Sequence, residues 1–272
     1  MTGLLGAARV RELLSAHGVH PKRSLGQNFV IDPNTIRKVV EVAGVTDADG
    51  VLEIGAGCGS LTLGLAARAA NVTAVEIDDR LVAALAESLS GTTNVDLVHA
   101  DALAFDLSDV RASILVANLP YNIATHLVLR VLEEAPQIGA LVVMTQKEVG
   151  ERLAAGPGSK AYGQTSVMVR YFGHAHVAAQ ISRRAFYPVP NVDSVLVRIS
   201  REDPPDVARD RLFDLVRAAF SQRRKTLRNT IAALAGSSQK AEEALVRAGI
   251  PARARAEELG LEQFVALTKA IT

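Results

Sequence analysis

Val51-Leu52-Glu53-Ile54-Gly55-Ala56-Gly57-Cys58-Gly59 runs from an apolar stretch straight into three alternate glycines, and a helical pattern from Ser60 to Ala70 follows at once. The apolar stretch reads as a buried strand. The glycines read as a tight strand-to-helix turn, where a side chain would keep the backbone away from a ligand. Their spacing is G-x-G-x-G, whereas nicotinamide-dinucleotide folds carry G-x-G-x-x-G, so that reading fails on spacing.

Outward from this turn, short apolar runs alternate with helical patterns, the arrangement of a parallel sheet covered on both faces. Val51 to Ile54, Val72 to Glu76, Val95 to Val98, Ser113 to Ala117 and Ile138 to Gln146 read as strands. Asp79 to Ser90 and Thr125 to Glu134 read as helices. Two further strands, Ala175 to Ser182 and Ser194 to Ser200, are joined by Phe186-Tyr187-Pro188-Val189-Pro190, too short for a helical crossover, so an antiparallel pair is expected at the sheet's end. Strand patterning stops at Arg201-Glu202-Asp203-Pro204-Pro205, and from Val207 onward the chain reads as helix. The expected organisation is an N-terminal arm (1–24), an α/β domain with a seven-stranded, mostly parallel sheet (25–200) and a small all-α domain (201–272).

The 272 residues are 49% hydrophobic and 22% charged, as in a water-soluble globular protein. No apolar run is long enough for a membrane span, the start lacks the pattern of a secretory signal, and a single cysteine, Cys58, excludes an internal disulfide and a Cys-rich zinc site. No metal is expected, and the cytoplasm is the expected location. The net charge of +1 hides a polarity: residues 45 to 110 carry two basic and eleven acidic residues, and residues 181 to 230 eleven basic and six acidic. One end therefore suits a cationic or hydroxyl-rich small ligand and the other suits phosphates.

Three strand ends present polar side chains in order. Glu76 stands 21 residues after Gly55, where an acid can accept from ribose hydroxyls. Asp101 follows the next strand and can accept from an adenine amino group. Asn118 opens Asn118-Leu119-Pro120-Tyr121, which combines amide and carbonyl acceptors, a turn fixed by proline and an aromatic face. An exocyclic amine conjugated to a purine ring is a poor nucleophile. Acceptors at the Asn118 side-chain oxygen and a neighbouring carbonyl would hold both N–H groups and favour a pyramidal nitrogen.

Several separated blocks carry a family resemblance: Lys22 to Phe29, Glu53 to Gly57, Val75 to Asp78, Asn118 to Asn122, Phe186 to Ser194 and Phe220 to Asn229. Together they resemble the Rossmann-like class I methyltransferases, and specifically the small-subunit (16S) rRNA adenine N6-dimethyltransferases of the KsgA or RsmA type. Ala56 stands where that family usually has proline. The resemblance implies S-adenosyl-L-methionine as cofactor, contacted by Asn28, Val30, Gly55, Gly57, Glu76, Asp101 and Asn118. It implies a target adenine gripped by Asn118, Leu119, Pro120 and Tyr121, with Phe186 sandwiching the base from the other face. The implied substrate is 16S rRNA within the pre-30S small ribosomal subunit, dimethylated at two adjacent adenosines of a hairpin loop near its 3′ end.

Arg223, Arg224, Lys225 and Arg228 place four cations within six residues after an apolar helix. They are expected to bind RNA phosphates, with Lys22 and Arg23, and with Arg9 and Arg11, extending the track. Without a compact RNA-reading module, recognition of RNA shape around an unpaired adenine is expected, by a monomer. The competing readings are a large-subunit rRNA adenine methyltransferase, a DNA adenine methyltransferase, and a non-catalytic ribosome assembly factor on the same fold. Asn122 and the Gln222-Arg223-Arg224-Lys225 block favour the small-subunit substrate.

Overall fold

The computed structural model describes residues 3 to 21, 26 to 120, 123 to 222 and 224 to 271. The strands are β1 (Phe29–Val30), β2 (Gly50–Ile54), β3 (Asn71–Glu76), β4 (Val95–His99), β5 (Ile114–Asn118), β6 (Ala140–Gln146), β7 (Gly173–Ile181), β8 (Phe186–Tyr187) and β9 (Ser194–Arg201). Helices α1 (Ala7–Ala16), α2 (Pro33–Ala43), α3 (Ser60–Ala66), α4 (Asp79–Ser88) and α5 (Ala124–Glu134) interleave with the first six strands. Helices α6 (Lys147–Leu153) and α7 (Gln164–Phe172) come before β7. After β9 follow α8 (Arg209–Phe220), α9 (Leu227–Thr230), α10 (Ala232–Ala235), α11 (Ser238–Arg247) and α12 (Leu261–Ala270).

The chain forms two compact units. The first comprises Met1–Gly150 and His176–Arg201, the second Glu151–Ala175 and Glu202–Thr272. This differs from the expected division: helix α1 groups with the α/β unit, and the segment ending in α7 groups with the helices. The reason for the second difference lies in α7, where Tyr171 and Phe172 meet Phe213 of α8 edge-to-face, with ring centroids 5.4 and 6.0 Å away. Such aromatic pairs add roughly 0.5–1.5 kcal/mol beyond their burial. The same unit holds Tyr162, whose hydroxyl donates to the Leu259 carbonyl at 2.7 Å.

In the α/β unit the sheet order is β4-β3-β2-β5-β6-β9-β7. Pairings from β4 to β6 are parallel, and β9 runs antiparallel to β6. Val51, Leu52 and Ile54 of β2, Leu115 to Ala117 of β5 and Leu141 to Met144 of β6 are almost wholly buried, as strands covered on both faces must be. Asp32 caps α2 by accepting from Asn34 and Thr35 N–H groups at 3.1 and 3.0 Å, with Pro33 in the first turn, and Gly44 closes the helix at φ 67°. A two-stranded ribbon that the sequence pattern does not reveal pairs β1 with β8 antiparallel, Phe29 opposite Tyr187 and Val30 opposite Phe186. Two residues per strand are too few for an alternation to show.

Several cations of the basic stretch serve the fold. Arg201 donates to the carbonyls of Leu132, Ala135 and Ile138 around the end of α5, and Arg198 to those of Val42 and Ala43 at the end of α2. Both satisfy carbonyls that a helix end leaves without partners. Among the described residues no helix is long and apolar enough to cross a membrane.

Candidate active site

Strand β2 lies where the strand order reverses, with β3 on one side and β5 on the other. Open α/β sheets bind ligands in the crevice at the carboxyl ends of such strands. A cavity of about 520 Å³ lies there, walled by the glycine turn, the ends of β3 and β5, and Gly26 to Val30. This volume suits a ligand of nucleoside size or somewhat larger.

The turn is built on left-handed backbone: φ is 74° at Gly55, 59° at Gly57 and 93° at Gly59. A Cβ on Gly59 would stand 2.4 Å from Ser88 Oγ. Gly55 and Ala56 N–H groups donate to the Val75 carbonyl, and Glu76 completes the tie. Glu76 Oε2 accepts from Gly57 N at 2.8 Å, and Oε1 from Ile77 and Asp78 N at 2.9 and 3.0 Å. Three backbone donors thus hold one buried carboxylate at the end of β3 and leave it lone-pair capacity for a ligand hydroxyl.

Asp101 also lines the cavity, its Oδ1 accepting from Leu103 N at 2.8 Å. Asn118, at the end of β5, donates from Nδ2 to the Asn28 carbonyl at 2.8 Å, and Asn28 donates from its side chain to the Gly26 carbonyl at 3.1 Å. With Nδ2 so engaged, Asn118 Oδ1 is left as an acceptor that no described residue fills. Pro120 lines the cavity, but its carbonyl accepts from Ile123 and Ala124 N–H at the start of α5. Of the two carbonyls beside Asn118, the one that no described donor reaches is therefore that of Leu119, whose side chain is buried. Tyr121 lies outside the described residues.

The structure thus gathers Asn28, Val30, Gly55, Gly57, Glu76, Asp101, Asn118 and Pro120 around one cleft. It does not bring Phe186 there: pairing with Val30 turns this ring into the core, where it is 2% exposed. Phe186 is not among the cavity-lining residues and belongs to the core cluster with Phe29 and Val30. In the helical unit Arg224 and Lys225 are exposed, whereas Arg228 forms an ion pair with Glu242 at 3.0 Å. Arg9 pairs with Glu12 and Glu87, and Arg11 lies 5.0 Å over the Tyr187 ring. Lys22, Arg23 and Arg223 lie outside the described residues.

Glu53, within the Glu53 to Gly57 block, is a cleft residue to which the sequence assigned no role of its own. A carboxyl in the middle of an apolar strand is the signal, masked because its neighbours announce a strand so clearly. It lines the cleft, is 1% exposed, and burial pushes it up to about 8. Its Oε2 takes no hydrogen bond, and neither does the buried Ser60 hydroxyl on the same wall. Glu53, Glu76, Asp78 and Asp101 are the acidic residues lining the cavity, and no Lys, Arg or His is among the lining residues. Cys58 is buried, which pushes its thiol up to about 11 and leaves it unreactive at neutral pH.

Sheet order, switch-point cleft and acidic lining define a Rossmann-like class I methyltransferase. Two solved structures share the fold over nearly the whole chain. A dimethyladenosine transferase from Plasmodium falciparum matches with TM-score 0.76 and 25% identity, covering 87% of this chain and 94% of that one. The 23S rRNA methyltransferase ErmE matches with TM-score 0.72 and 30% identity, covering 90% and 99%. The model of the ribosomal RNA adenine dimethylase family matches residues 19–272, and the chain belongs to that family. Among its relatives, ribosomal RNA small subunit methyltransferase A of Leifsonia xyli subsp. xyli is 50% identical over 274 residues, covering 97% of each chain. The protein of that name from Streptomyces coelicolor is 46% identical over 275 residues, covering 98% of this chain and 96% of its own.

Proposed function

We propose that this chain transfers methyl groups from S-adenosylmethionine to the N6 amines of two adjacent adenosines near the 3′ end of 16S rRNA, acting as a monomer on the pre-30S particle in the cytoplasm. The observation that carries the reading is the cleft itself, with carboxyls and no cation among its charged lining residues, beside the Asn118 and Leu119 acceptors. A cation-bearing nucleoside fits such a lining, whereas a phosphate-bearing dinucleotide would be repelled. The cofactor's sulfonium supplies an electrophilic methyl carbon.

The chain's own groups do the positioning. Glu76 holds ribose hydroxyls and Asp101 accepts from the cofactor's adenine amine. Asn118 Oδ1 and the Leu119 carbonyl accept the two N–H groups of the target amine, which aims its lone pair at the methyl carbon. Tyr121 stacks on the target ring, worth roughly 1–3 kcal/mol, which offsets unstacking the adenosine from its neighbours. No side chain has to take the amine's proton beforehand, because the methylated nitrogen is acidic enough to lose it to water. Orientation is therefore the main source of rate. Arg224 and Lys225 approach the RNA backbone. The small-subunit substrate is favoured over that of ErmE because relatives named for the small subunit reach 46–50% identity, against 30% for ErmE. Incubation with labelled methyl donor and unmethylated small or large subunits tests this: label in the small-subunit RNA supports it, and label in the large-subunit RNA alone overturns it.

A further inference from the structure

We propose that Arg183 and Arg184 form a phosphate subsite on the target side of the cleft, holding the backbone of the single-stranded RNA that flanks the adenosine drawn into it. This rests on the RNA-methylation reading above and gives the strand a place, set by two residues to which that reading assigns no role.

The cleft holds no Lys, Arg or His among its lining residues. A nucleotide turned out of its strand still carries a phosphate on each side, and these stay at the mouth, where cations must replace the counterions they shed. On the donor side the mouth is acidic. Asp78 and Asp101 line the cavity, and Asp79 opens α4 beside them with an exposed side chain. Phosphates are repelled there, so their cations have to come from beyond β5, on the side of β6 and β9.

The short turn Arg183–Ala185 lies on that side. The Ala185 carbonyl accepts from Ile31 N at 2.8 Å, and the next two residues, Phe186 and Tyr187, pair with Val30 and Phe29, which line the cleft. The other flank is tied to the strand ends that carry Asn118. Asn118 stands opposite Met144 of β6, and β6 ends with Gln146 opposite Ser194. Asp193 then accepts from Lys147 N through its carbonyl at 3.1 Å and from Arg183 N through Oδ1 at 2.9 Å. Backbone bonds thus pin the turn on both flanks, beside the sheet edge where Asn118 presents its oxygen.

Both arginines are exposed. Arg183 Nη1 donates to the Asn191 carbonyl at 3.2 Å, which steadies the side chain and leaves most of its N–H groups for a ligand. The Arg184 guanidinium has no hydrogen-bond or ion-pair partner among the described residues, and its backbone N–H is taken by Ser182 Oγ. Asp193 accepts the backbone N–H of Arg183 and forms no ion pair with either guanidinium. Arg198 and Arg201, by contrast, are spent on helix-end carbonyls. Two adjacent guanidiniums without counter-charges, on a turn fixed by its backbone, suit the oxygens of a phosphate. In the loop that follows, Val189 and Val192 are 50% and 45% exposed and offer apolar surface to the sugar or base of the flanking nucleotide. An acidic peptide would answer the arginines but not this apolar surface beside a base-sized cleft.

Binding of the intact protein to unmethylated small subunits across a salt series counts the phosphate contacts. Arg184→Ala is expected to lower the slope of log K against log salt by about 0.7, and the double change of Arg183 and Arg184 to Ala by about 1.4, the values for single-stranded contacts. At about 0.1 M salt each lost contact weakens binding about fivefold. The loss should appear in KM for the subunits and not in donor affinity or melting temperature. Lys at both positions should restore most of the slope, and Arg184→Glu should weaken binding beyond Ala, most at low salt. An unchanged slope and KM in the double variant, or a loss independent of salt, overturns the proposal. So does a loss seen with intact subunits but not with protein-free 16S rRNA, which would assign the arginines to an acidic ribosomal protein. Wild type that binds with the expected slope, lowered in the variants, yet methylates neither subunit strikes the methylation reading and leaves the phosphate subsite standing.

Discussion

Asn118 Nδ2 donates to the Asn28 carbonyl at 2.8 Å across 90 residues of sequence. One hydrogen bond thereby fixes both the entrance segment and the orientation of the amide at the end of β5. Its consequence is chemical: the nitrogen side is occupied, so the oxygen side is presented to the cleft. Asn118→Ala is expected to lower turnover by about 10²–10³-fold, the usual loss for removing one preorganised polar group, while the donor dissociation constant changes little. Single-turnover methylation alongside donor titration checks this. Near-wild-type turnover would refute the assigned role.

Glu76 joins the glycine turn to β3 through three backbone donors. Glu76→Ala leaves those N–H groups without their acceptor and is expected to cost about 1–3 kcal/mol of stability, with donor affinity falling as well. Chemical denaturation and donor titration measure the two effects. A variant as stable as wild type that binds donor normally would remove Glu76 from both roles.

Gly59 couples local backbone to packing. At φ 93°, with its missing Cβ 2.4 Å from Ser88 Oγ, Gly59→Ala should cost about 1–2 kcal/mol from conformation alone, and more from displacing α4. Gly156→Ala, where nothing lies within 4 Å and φ is not positive, provides the control and should change the melting temperature little.

Glu53 gives the protein without ligand a pH dependence whose sign is fixed. Its carboxyl moves from 4.5 when exposed to about 8 when folded, so its favourable contribution is complete below pH 4.5 and is lost as pH rises through 8. Relative to Glu53→Gln, wild type should lose stability between those limits. Parallel unfolding midpoints for the two proteins across that range would contradict the buried, unpaired state of Glu53.

Arg224 and Lys225 are exposed, while Arg228 is held by Glu242. Changing Arg224 and Lys225 together to Ala should weaken RNA binding and lower the slope of log K against log salt by about 1.4–1.8, the effect of two phosphate contacts. Arg228→Ala alone should lower it less. An unchanged slope in the double variant would place the phosphate track elsewhere.

Much of this was legible in the sequence because buried parallel strands leave unbroken apolar runs, and glycines at a switch-point turn have few substitutes. The strand ends at Glu76 and Asn118 were readable for the same reason: a polar residue ending an apolar run has nowhere to go but the sheet's edge. The β1–β8 ribbon was not, since two-residue strands carry no period, and with it went the placement of Phe186. Helix α7 gives no local sign of its unit; its contacts with α8 and α12, Phe213 among them, assign it to the helical unit. Long-range side-chain pairs such as Arg228 with Glu242 leave no local trace. These set how many apparent phosphate ligands are already engaged.

The most direct measurement is mass spectrometry of nuclease-digested 16S rRNA after purified protein, S-adenosylmethionine and unmethylated small subunits are incubated together. Two adjacent N6,N6-dimethyladenosines near the 3′ end are expected, absent when Asn118→Ala replaces the wild type. Unmodified 16S rRNA despite demonstrated donor binding, or methylation confined to other positions, would contradict it.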